Sequence, residues 1–386
     1  MHIHLLGACG TFMGGVALLA RRAGYRVSGQ DQHTYPPMST QLEAEGIELF
    51  EGYSPEHIDP AADLVVIGNA LSRGNPAVEH VLNSGMDYTS GPRWLGENYL
   101  RGKSVIAVAG THGKTTTASM AAWILEHAGL NPGFLIGGIP GNFGQSARDG
   151  ERFFVVEADE YDTAFFDKRA KFVHYRPSVA VLNNLEFDHA DIYDNLKAIQ
   201  TQFHHFVRTI RGNGTIISNG ADARLESVLE QGCWSGLERF SMQEGCEWQV
   251  ELIRPDGSEL AFQRHGEPVA TLEWGHFGRH NALNACAAVA AATAAGVEPR
   301  AAIEALAGFT GVKRRMELIC DTGDVRVYDD FAHHPTAIRL TLEGLRRNVG
   351  NARVLVALEP RSNTMRAGVH IGELGPALIP ADRVWL

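Results

Sequence analysis

The chain has 386 residues, enough for two or three domains. Its 44 % hydrophobic and 20 % charged residues are the balance of a globular protein and exclude a disordered or fibrous one. A formal net charge of −11 excludes the broad basic footprint of a general nucleic-acid binder, while leaving room for a local basic pocket around a phosphorylated ligand.

The N-terminus opens on His2-Ile3-His4-Leu5-Leu6 and then Gly7, too short and too poor in basic residues for a signal peptide. Ile3–Leu6 reads as a strand, Gly7-Ala8-Cys9-Gly10 as a turn, and Val16–Arg22 as a helix. Tyr25–Gly29 and Leu64–Gly68 read as further strands. Strands alternating with helices imply a parallel sheet. Polar Arg101-Gly102-Lys103 marks a first boundary, and a second falls near Gly311-Val312-Lys313. The expected domains are therefore 1–101, 102–312 and 313–386. The alanine-rich stretch Ala285–Ala295 is no membrane span, because Ala is weakly apolar and Thr293 and Gly296 interrupt it. The five cysteines, Cys9, Cys233, Cys246, Cys286 and Cys320, are odd in number and contain no Cys-x-x-Cys pair. Reduced thiols are expected, not a disulfide framework or a structural zinc site.

The strand-like run Ser104–Ala109 leads into Gly110-Thr111-His112-Gly113-Lys114-Thr115-Thr116-Thr117. A helical pattern through Met120, Ala121, Ile124, Leu125 and Ala128 follows. Strand, glycine loop and helix are what a phosphate loop needs: glycines turn backbone N–H groups toward phosphate oxygens, and the helix N-terminus adds positive charge. Lys114 would reach the β- and γ-phosphates, and the Thr115 hydroxyl would ligate Mg²⁺. Val108 stands where the strict motif G-x-x-x-x-G-K-[ST] has its first glycine, so the loop is the variant G-T-x-G-K-T-T. The competing reading is a Gly/Thr-rich turn before an ordinary helix.

Two more strands end in polar groups. Phe153–Val156 runs into Glu157-Ala158-Asp159-Glu160-Tyr161-Asp162, suited to Mg²⁺ beside a phosphate loop or, alternatively, a solvated acidic turn. Val179–Leu182 runs into Asn183-Asn184-Leu185-Glu186-Phe187-Asp188-His189, where His189 is a candidate ligand for a second divalent ion.

Together these motifs resemble the Mur ligase family. The G-T-x-G-K-T-T loop, the strand-end glutamate Glu157 and the Asn-x-x-x-Asp-His element from Asn184 to His189 occur in the family's order. So do Gly278-Arg279-His280-Asn281-Ala282-Leu283-Asn284-Ala285, Arg315, and Asp329-Asp330-Phe331-Ala332-His333-His334-Pro335. The resemblance implies an α/β protein of three domains: an N-terminal Rossmann-like domain, a central P-loop ATPase domain and a C-terminal Rossmann-like domain. It implies that Asn284 contacts adenine, that His280 and Asn281 shape that pocket, that Arg315 meets the γ-phosphate and that Asp330 meets the ribose. Metal ligands would be Thr115, Glu157 and His189, and catalytic residues Lys114, Glu157, His189 and Arg315.

The first loop, Gly7-Ala8-Cys9-Gly10-Thr11-Phe12-Met13-Gly14-Gly15, resembles the branch acting on UDP-N-acetylmuramate. Gly7, Cys9, Gly10, Thr11, Phe12, Met13 and Gly14 would bind the UDP part, with Asp31, Asn69, Ser72, Arg73 and Asn75. Arg148, Lys168 and Arg169 are candidates for the pyrophosphate or muramyl carboxylate, with surface salt bridges as the alternative. Cys9 replaces the second glycine of G-x-G-x-x-G, against a dinucleotide-binding loop. Asn69 to Pro76 and Asp159 to Arg169 resemble a branch adding a peptide more than one adding L-alanine. The implied reaction is ATP-dependent ligation of the muramyl carboxylate to the amine of L-Ala-γ-D-Glu-meso-diaminopimelate, through an acyl phosphate. Its setting would be the cytoplasmic recycling of cell-wall peptide. Rivals are the alanine-adding ligase, an NAD-dependent oxidoreductase and a non-catalytic nucleotide-binding regulator. Lys197 is not at the spacing of the family's carbamylated lysine, so no carbamate is carried over.

In the third segment Val325–Tyr328, Val354–Leu358 and Val384–Leu386 are strand candidates for a parallel sheet. The 74 residues from Lys313 to Leu386 are about half of a typical domain, so this domain is expected to be truncated. A protein of this length is then expected to bind UDP-N-acetylmuramate but to ligate tripeptide poorly.

Overall fold

The computed structural model describes residues 1–386. Its first sheet is parallel throughout. Strand His2–Leu6 lies at the centre, with Arg26–Asp31 and Glu48–Glu51 on one side and Leu64–Ile67 and Tyr88–Ser90 on the other. Strand order reverses at the central strand, so the turn after it opens into a crevice. Helix Thr11–Arg22 leaves that turn and buries Met13 through Ala20. The sequence placed the start of this helix five residues too late, because Thr11 to Gly15 carry no apolar period.

The central strand contains two buried histidines, His4 fully enclosed, and the hydrogen bonds fix their tautomers. The Gln30 carbonyl oxygen accepts from Ser54 N at 2.9 Å, so its Nε2 donates to His4 Nε2 at 3.1 Å. The His4 proton then sits on Nδ1 and is donated to Ser28 Oγ at 2.8 Å, leaving the Ser28 hydroxyl to donate to His2 Nε2 at 2.9 Å. A second proton on His4 would oppose the Gln30 amide donor. Burial already lowers the His4 pKa to about 4, helped by nearby His2 and His57.

The second sheet has ten strands in mixed directions. In its parallel part, Ser104–Ala109 lies between Phe153–Ala158 and Val179–Leu182. A meander of Trp248–Leu252, Glu259–Arg264 and Glu267–Glu273 extends one edge antiparallel. Helices Lys114–His127 and Arg279–Ala294 cover one face. The alanines of the second helix are buried in that core, not in a membrane, and no helix is long and apolar enough to cross one. The other face joins the first sheet in one continuous apolar cluster that includes Val16, Trp94, Leu135, Phe154 and Phe172. Gly15 makes this approach possible: a Cβ there would sit 2.1 Å from Leu135 Cδ1.

The third segment departs from expectation. Its three strand candidates do not share a parallel sheet. Arg326–Asp329 pairs antiparallel with Glu317–Asp321, a strand the sequence did not reveal, whereas Leu355–Ala357 and Arg383–Trp385 pair parallel. The turn at Thr322-Gly323 is short enough to fold the first pair into a hairpin, and adjacent strands then run antiparallel. Helix Pro335–Val349 lies on a small core of Ile338, Leu342, Val354 and Ala377.

Acidification should weaken the first sheet. An unfolded His4 titrates near pH 6.5 and a folded one near 4, so the contribution is full above about 6.5 and is lost as pH falls through that window. The opening free energy of strand His2–Leu6, from hydrogen exchange corrected for intrinsic rates, should drop by roughly 2 kcal/mol between about pH 7 and about pH 5. An unchanged value would refute the neutral-histidine chain.

Candidate active site

Three parallel strands end on one edge of the second sheet: Ala109 before the glycine loop, Ala158 before the acidic run, and Leu182 before the Asn/His loop. The loop's conformation depends on glycine at two places. Gly110 has φ +147, and a Cβ on it would lie 2.9 Å from Asn183 Cβ. Gly113 has φ +79, and a Cβ would lie 2.4 Å from Asn284 Oδ1. The loop is also pinned from the neighbouring strand end. Asn184 Oδ1 accepts His112 N at 2.7 Å, and Glu186 N donates to Thr111 Oγ1 at 2.8 Å. Thr116 lies in the first turn of helix Lys114–His127.

Lys114 is folded back over the loop. Its Nζ donates to Gly110 O at 2.7 Å and to Glu160 Oε2 at 2.8 Å. Burial works against its charge, but Glu160 and Asp159 outweigh it and hold the pKa above the ordinary lysine value. Glu160 Oε1 meets His189 Nε2 at 3.2 Å, and Asp159 Oδ2 accepts from Lys171 Nζ at 3.0 Å. Asp159, Glu160 and His189 bring ligand atoms within 4.8 Å of one another. Burial opposes charge on His189, yet Glu160 and Asp188 hold its pKa above the usual value. Burial likewise opposes charge on Glu160 and Asp159, and Lys114 and Lys171 respectively are the leading groups that keep them ionised.

Glu157 stands apart from that cluster. It accepts from Gly137 N at 2.8 Å, and burial raises its pKa although Gly137, Thr115 and Lys114 pull the other way. Arg315 Nη2 donates to Thr115 Oγ1 at 3.3 Å, so the third segment reaches the loop through this residue. Asp330 accepts from Met316 N and Ala332 N, both at 2.8 Å, and shapes the turn around Arg315.

A second cluster, His112, Glu186 and His334, joins the loop to the third segment. Most of its polar atoms are engaged, although His334 Nε2 is buried without a partner. His112 Nε2 meets Glu186 Oε2 at 2.9 Å, Thr336 N donates to His334 Nδ1 at 3.2 Å, and Arg224 Nη2 reaches Glu186 Oε1 at 3.4 Å. Burial opposes charge on Glu186, but bonds from His112 and Thr336 bring its pKa down to about 2.

The structure brings together most of the sequence candidates. Lys114, Thr115, Glu157, His189 and Arg315 all converge on the loop. Asn284 does so too, accepting from Asn183 Nδ2 at 2.8 Å. Its helix neighbours do not share the loop contact: Asn281 donates to Phe277 O at 2.8 Å, and the His280 ring packs against Gly278. In the first domain a cavity of about 430 Å³ is lined by Gly7, Cys9, Gly10, Thr11, Phe12, Met13, Asp31 and Asn69, among others. Asp31 Oδ2 accepts from Cys9 N at 2.7 Å and so ties the second strand to the loop. Gly14 packs against Met38, where a Cβ would lie 2.3 Å from the sulfur.

Ser72, Arg73 and Asn75 are not in the cavity lining; Arg73 pairs with Glu79 at 2.8 Å, and Asn75 caps helix Pro76–Ser84. Arg148 is also elsewhere. Its guanidinium is taken by Glu126 and by Pro132 O, both at 2.6 Å, because strand Ala147–Arg148 pairs with Gly133–Leu135. Lys168 and Arg169 pair with Asp162 and Asp167, both at 2.6 Å. Sequence reasoning had Glu160 only as one acid of the run Glu157 to Asp162, not as the partner of Lys114, and it missed Lys171. Lys171 lies 5.5 Å over the Phe12 ring of the first loop, and no local motif announces a bridge between two domains.

Gly113→Ala should test the loop. The added methyl meets Asn284 in a left-handed backbone, so ATP affinity by calorimetry should fall at least about tenfold with circular dichroism unchanged. Unaltered affinity would show that the close approach is not needed.

Comparisons with known proteins extend over all three segments. The Mur ligase family catalytic domain matches residues 2–102, the Mur ligase middle domain 108–292, and the Mur ligase glutamate ligase domain 314–386. The chain is 55 % identical over 388 residues to the UDP-N-acetylmuramate–L-alanyl-γ-D-glutamyl-meso-2,6-diaminoheptandioate ligase of Escherichia coli K12, spanning 100 % of this chain and 84 % of that protein. It is 36 % identical to the UDP-N-acetylmuramate–L-alanine ligase of Kineococcus radiotolerans, over 99 % of this chain and 80 % of that one. The crystal structure of a murein peptide ligase from Psychrobacter arcticus superimposes with a TM-score of 0.83 at 50 % identity, covering 100 % of this chain and 84 % of that one. With a phosphate loop, strand-end acids and a nucleotide-type cavity in the matching order, the chain belongs to the Mur ligase family.

Proposed function

We propose that this protein joins the carboxylate of UDP-N-acetylmuramate to the amine of L-alanyl-γ-D-glutamyl-meso-diaminopimelate, with ATP converted to ADP and phosphate. The observation that carries the reading is the Lys114–Glu160–His189 array at the phosphate loop, next to the domain that holds the first-loop cavity. The choice of amine follows the relatives: 55 % identity to a peptide-adding ligase against 36 % to an alanine-adding one. The cellular setting would be the cytoplasm, in recycling of cell-wall peptide.

The muramyl carboxylate oxygen attacks the γ-phosphorus, and ADP leaves with the bond electrons. The peptide amine then attacks the acyl carbon, loses a proton and expels phosphate. The protein's part is positioning and charge neutralisation. Backbone N–H groups of the loop and the start of helix Lys114–His127 face the phosphates. Lys114 exchanges its bond to Glu160 for phosphate oxygens, and Arg315 approaches from the third segment. Thr115 and Glu157 offer the hard oxygen donors that suit Mg²⁺, with Asp159, Glu160 and His189 as a second group. Mg²⁺ bound there would neutralise charge on the β- and γ-phosphates. Lys171, between Phe12 and Asp159, is placed to meet an anionic substrate group passing between the domains.

Two experiments test this reading. In the native enzyme, ADP release with UDP-N-acetylmuramate should be driven by the tripeptide and not by L-alanine; equal turnover with L-alanine would overturn the amine assignment. Lys114→Ala should lower kcat by roughly 10³-fold, as for loss of one strong electrostatic contact, with UDP-N-acetylmuramate affinity unchanged. A variant that turns over at the normal rate would remove Lys114 from the reaction.

A further inference from the structure

A continuous chain of polar contacts leaves the phosphate loop and ends in the third segment. Lys114 Nζ donates to Glu160 Oε2 at 2.8 Å, and Glu160 Oε1 meets His189 Nε2 at 3.2 Å. The backbone N–H of His189 donates to Asp188 Oδ1 at 2.7 Å, and the Thr364 hydroxyl donates to that same oxygen at 2.8 Å. Asp188 and Thr364 are both buried, at 4 % and 3 % exposure, so water does not compete for this bond. Thr364 lies on the short helix Asn363–Arg366 of the third segment.

His189 needs such support. Its φ is +57, a left-handed conformation that a residue with a Cβ rarely holds unaided. The third segment grips the loop on both sides of it. Ala190 N donates to Thr364 Oγ1 at 3.4 Å, and Asn363 Nδ2 donates to Asp191 Oδ2 at 3.0 Å. The Thr364 hydroxyl therefore both donates and accepts within one turn of the loop, a pairing that serine preserves and valine cannot.

We propose that Thr364 is a positioning residue for phosphoryl transfer: docked on Asp188, it holds His189 against Glu160 and so sets where Lys114 points. A nucleotide loop and a segment 250 residues further along the chain are then coupled through one hydroxyl. The activity part of the test rests on the ligase reading above; the exchange part does not.

Thr364→Val keeps the side-chain shape and removes the hydroxyl. In the native enzyme it should lower kcat for ADP release roughly tenfold, the effect of losing one hydrogen bond to a charged group, while KM for UDP-N-acetylmuramate stays the same. Thr364→Ser should restore most of the rate. Asn348→Ala, which breaks a 2.9 Å bond between the third segment and Asp256 away from this chain of contacts, should change kcat less than about twofold. Hydrogen exchange read without substrates should show faster exchange at residues 186–191 in Thr364→Val, and not in Thr364→Ser or Asn348→Ala. Wild-type kcat in Thr364→Val, an equal loss in Thr364→Ser or Asn348→Ala, or unaltered exchange at 186–191 would each overturn the proposal. Absence of ADP release by the unmodified enzyme would overturn the ligase reading instead, with the exchange result still deciding the coupling.

Discussion

The site depends on the parallel pairing of Ser104–Ala109 with a strand on each side. Because Phe153–Ala158 and Val179–Leu182 run in the same direction, all three chain ends emerge on one edge. Helix Lys114–His127 crosses away from the central strand there, leaving a crevice that the three strand ends surround. Glycine loop, acids and Asn/His loop therefore meet without any of them having to reach far. Reversing one of those strands would carry its functional residues to the opposite edge, about six residues or 20 Å away.

What gathers at that edge is a buried set of alternating charges. Lys114 faces Glu160, Glu160 faces His189, and Asp159 faces Lys171. Desolvating such groups costs more than an apolar replacement would, and breaking one pair strands its partner. The arrangement therefore makes little sense as a stabilising device. It makes sense as a preorganised field: Glu160 and Asp159 hold Lys114 and Lys171 in place where an anionic ligand can meet them.

Close approach is the other requirement, and small residues meet it. Gly15 lets the first helix touch Leu135, Gly113 admits Asn284, and Gly344 sits against Gly278 where the third segment meets the second. The first two domains share one apolar cluster, so their relative placement is set by core packing. The third segment is held differently, through Arg315 on Thr115, Thr364 on Asp188 and Asn363 on Asp191. These are a few discrete polar contacts rather than a shared core, and the Asp188–Thr364 bond among them is shielded from water.

By itself the sequence determined the phosphate loop, the strand-end acids and histidine, and the α/β class. Each is a local property, set by residues within one strand–turn–helix unit. Strand Val179–Leu182 is legible because its apolar run is uninterrupted, and so is Ser104–Ala109. Strand Glu317–Asp321 escaped because its residues show no clean alternation, whereas the meander went unread although Trp248–Leu252 alternates apolar and polar residues. Arg148, Lys168 and Arg169 looked available as cations, but Arg148 and Lys168 meet an acid on another element and Arg169 meets Asp167 two residues earlier on its own strand. Only the tertiary structure decided that Glu160 is the partner of Lys114, that Lys171 bridges two domains, and that Thr364 supports His189. The reason is physical: a side chain's direction is settled by neighbours far along the chain, and those neighbours come together only when the sheets are built.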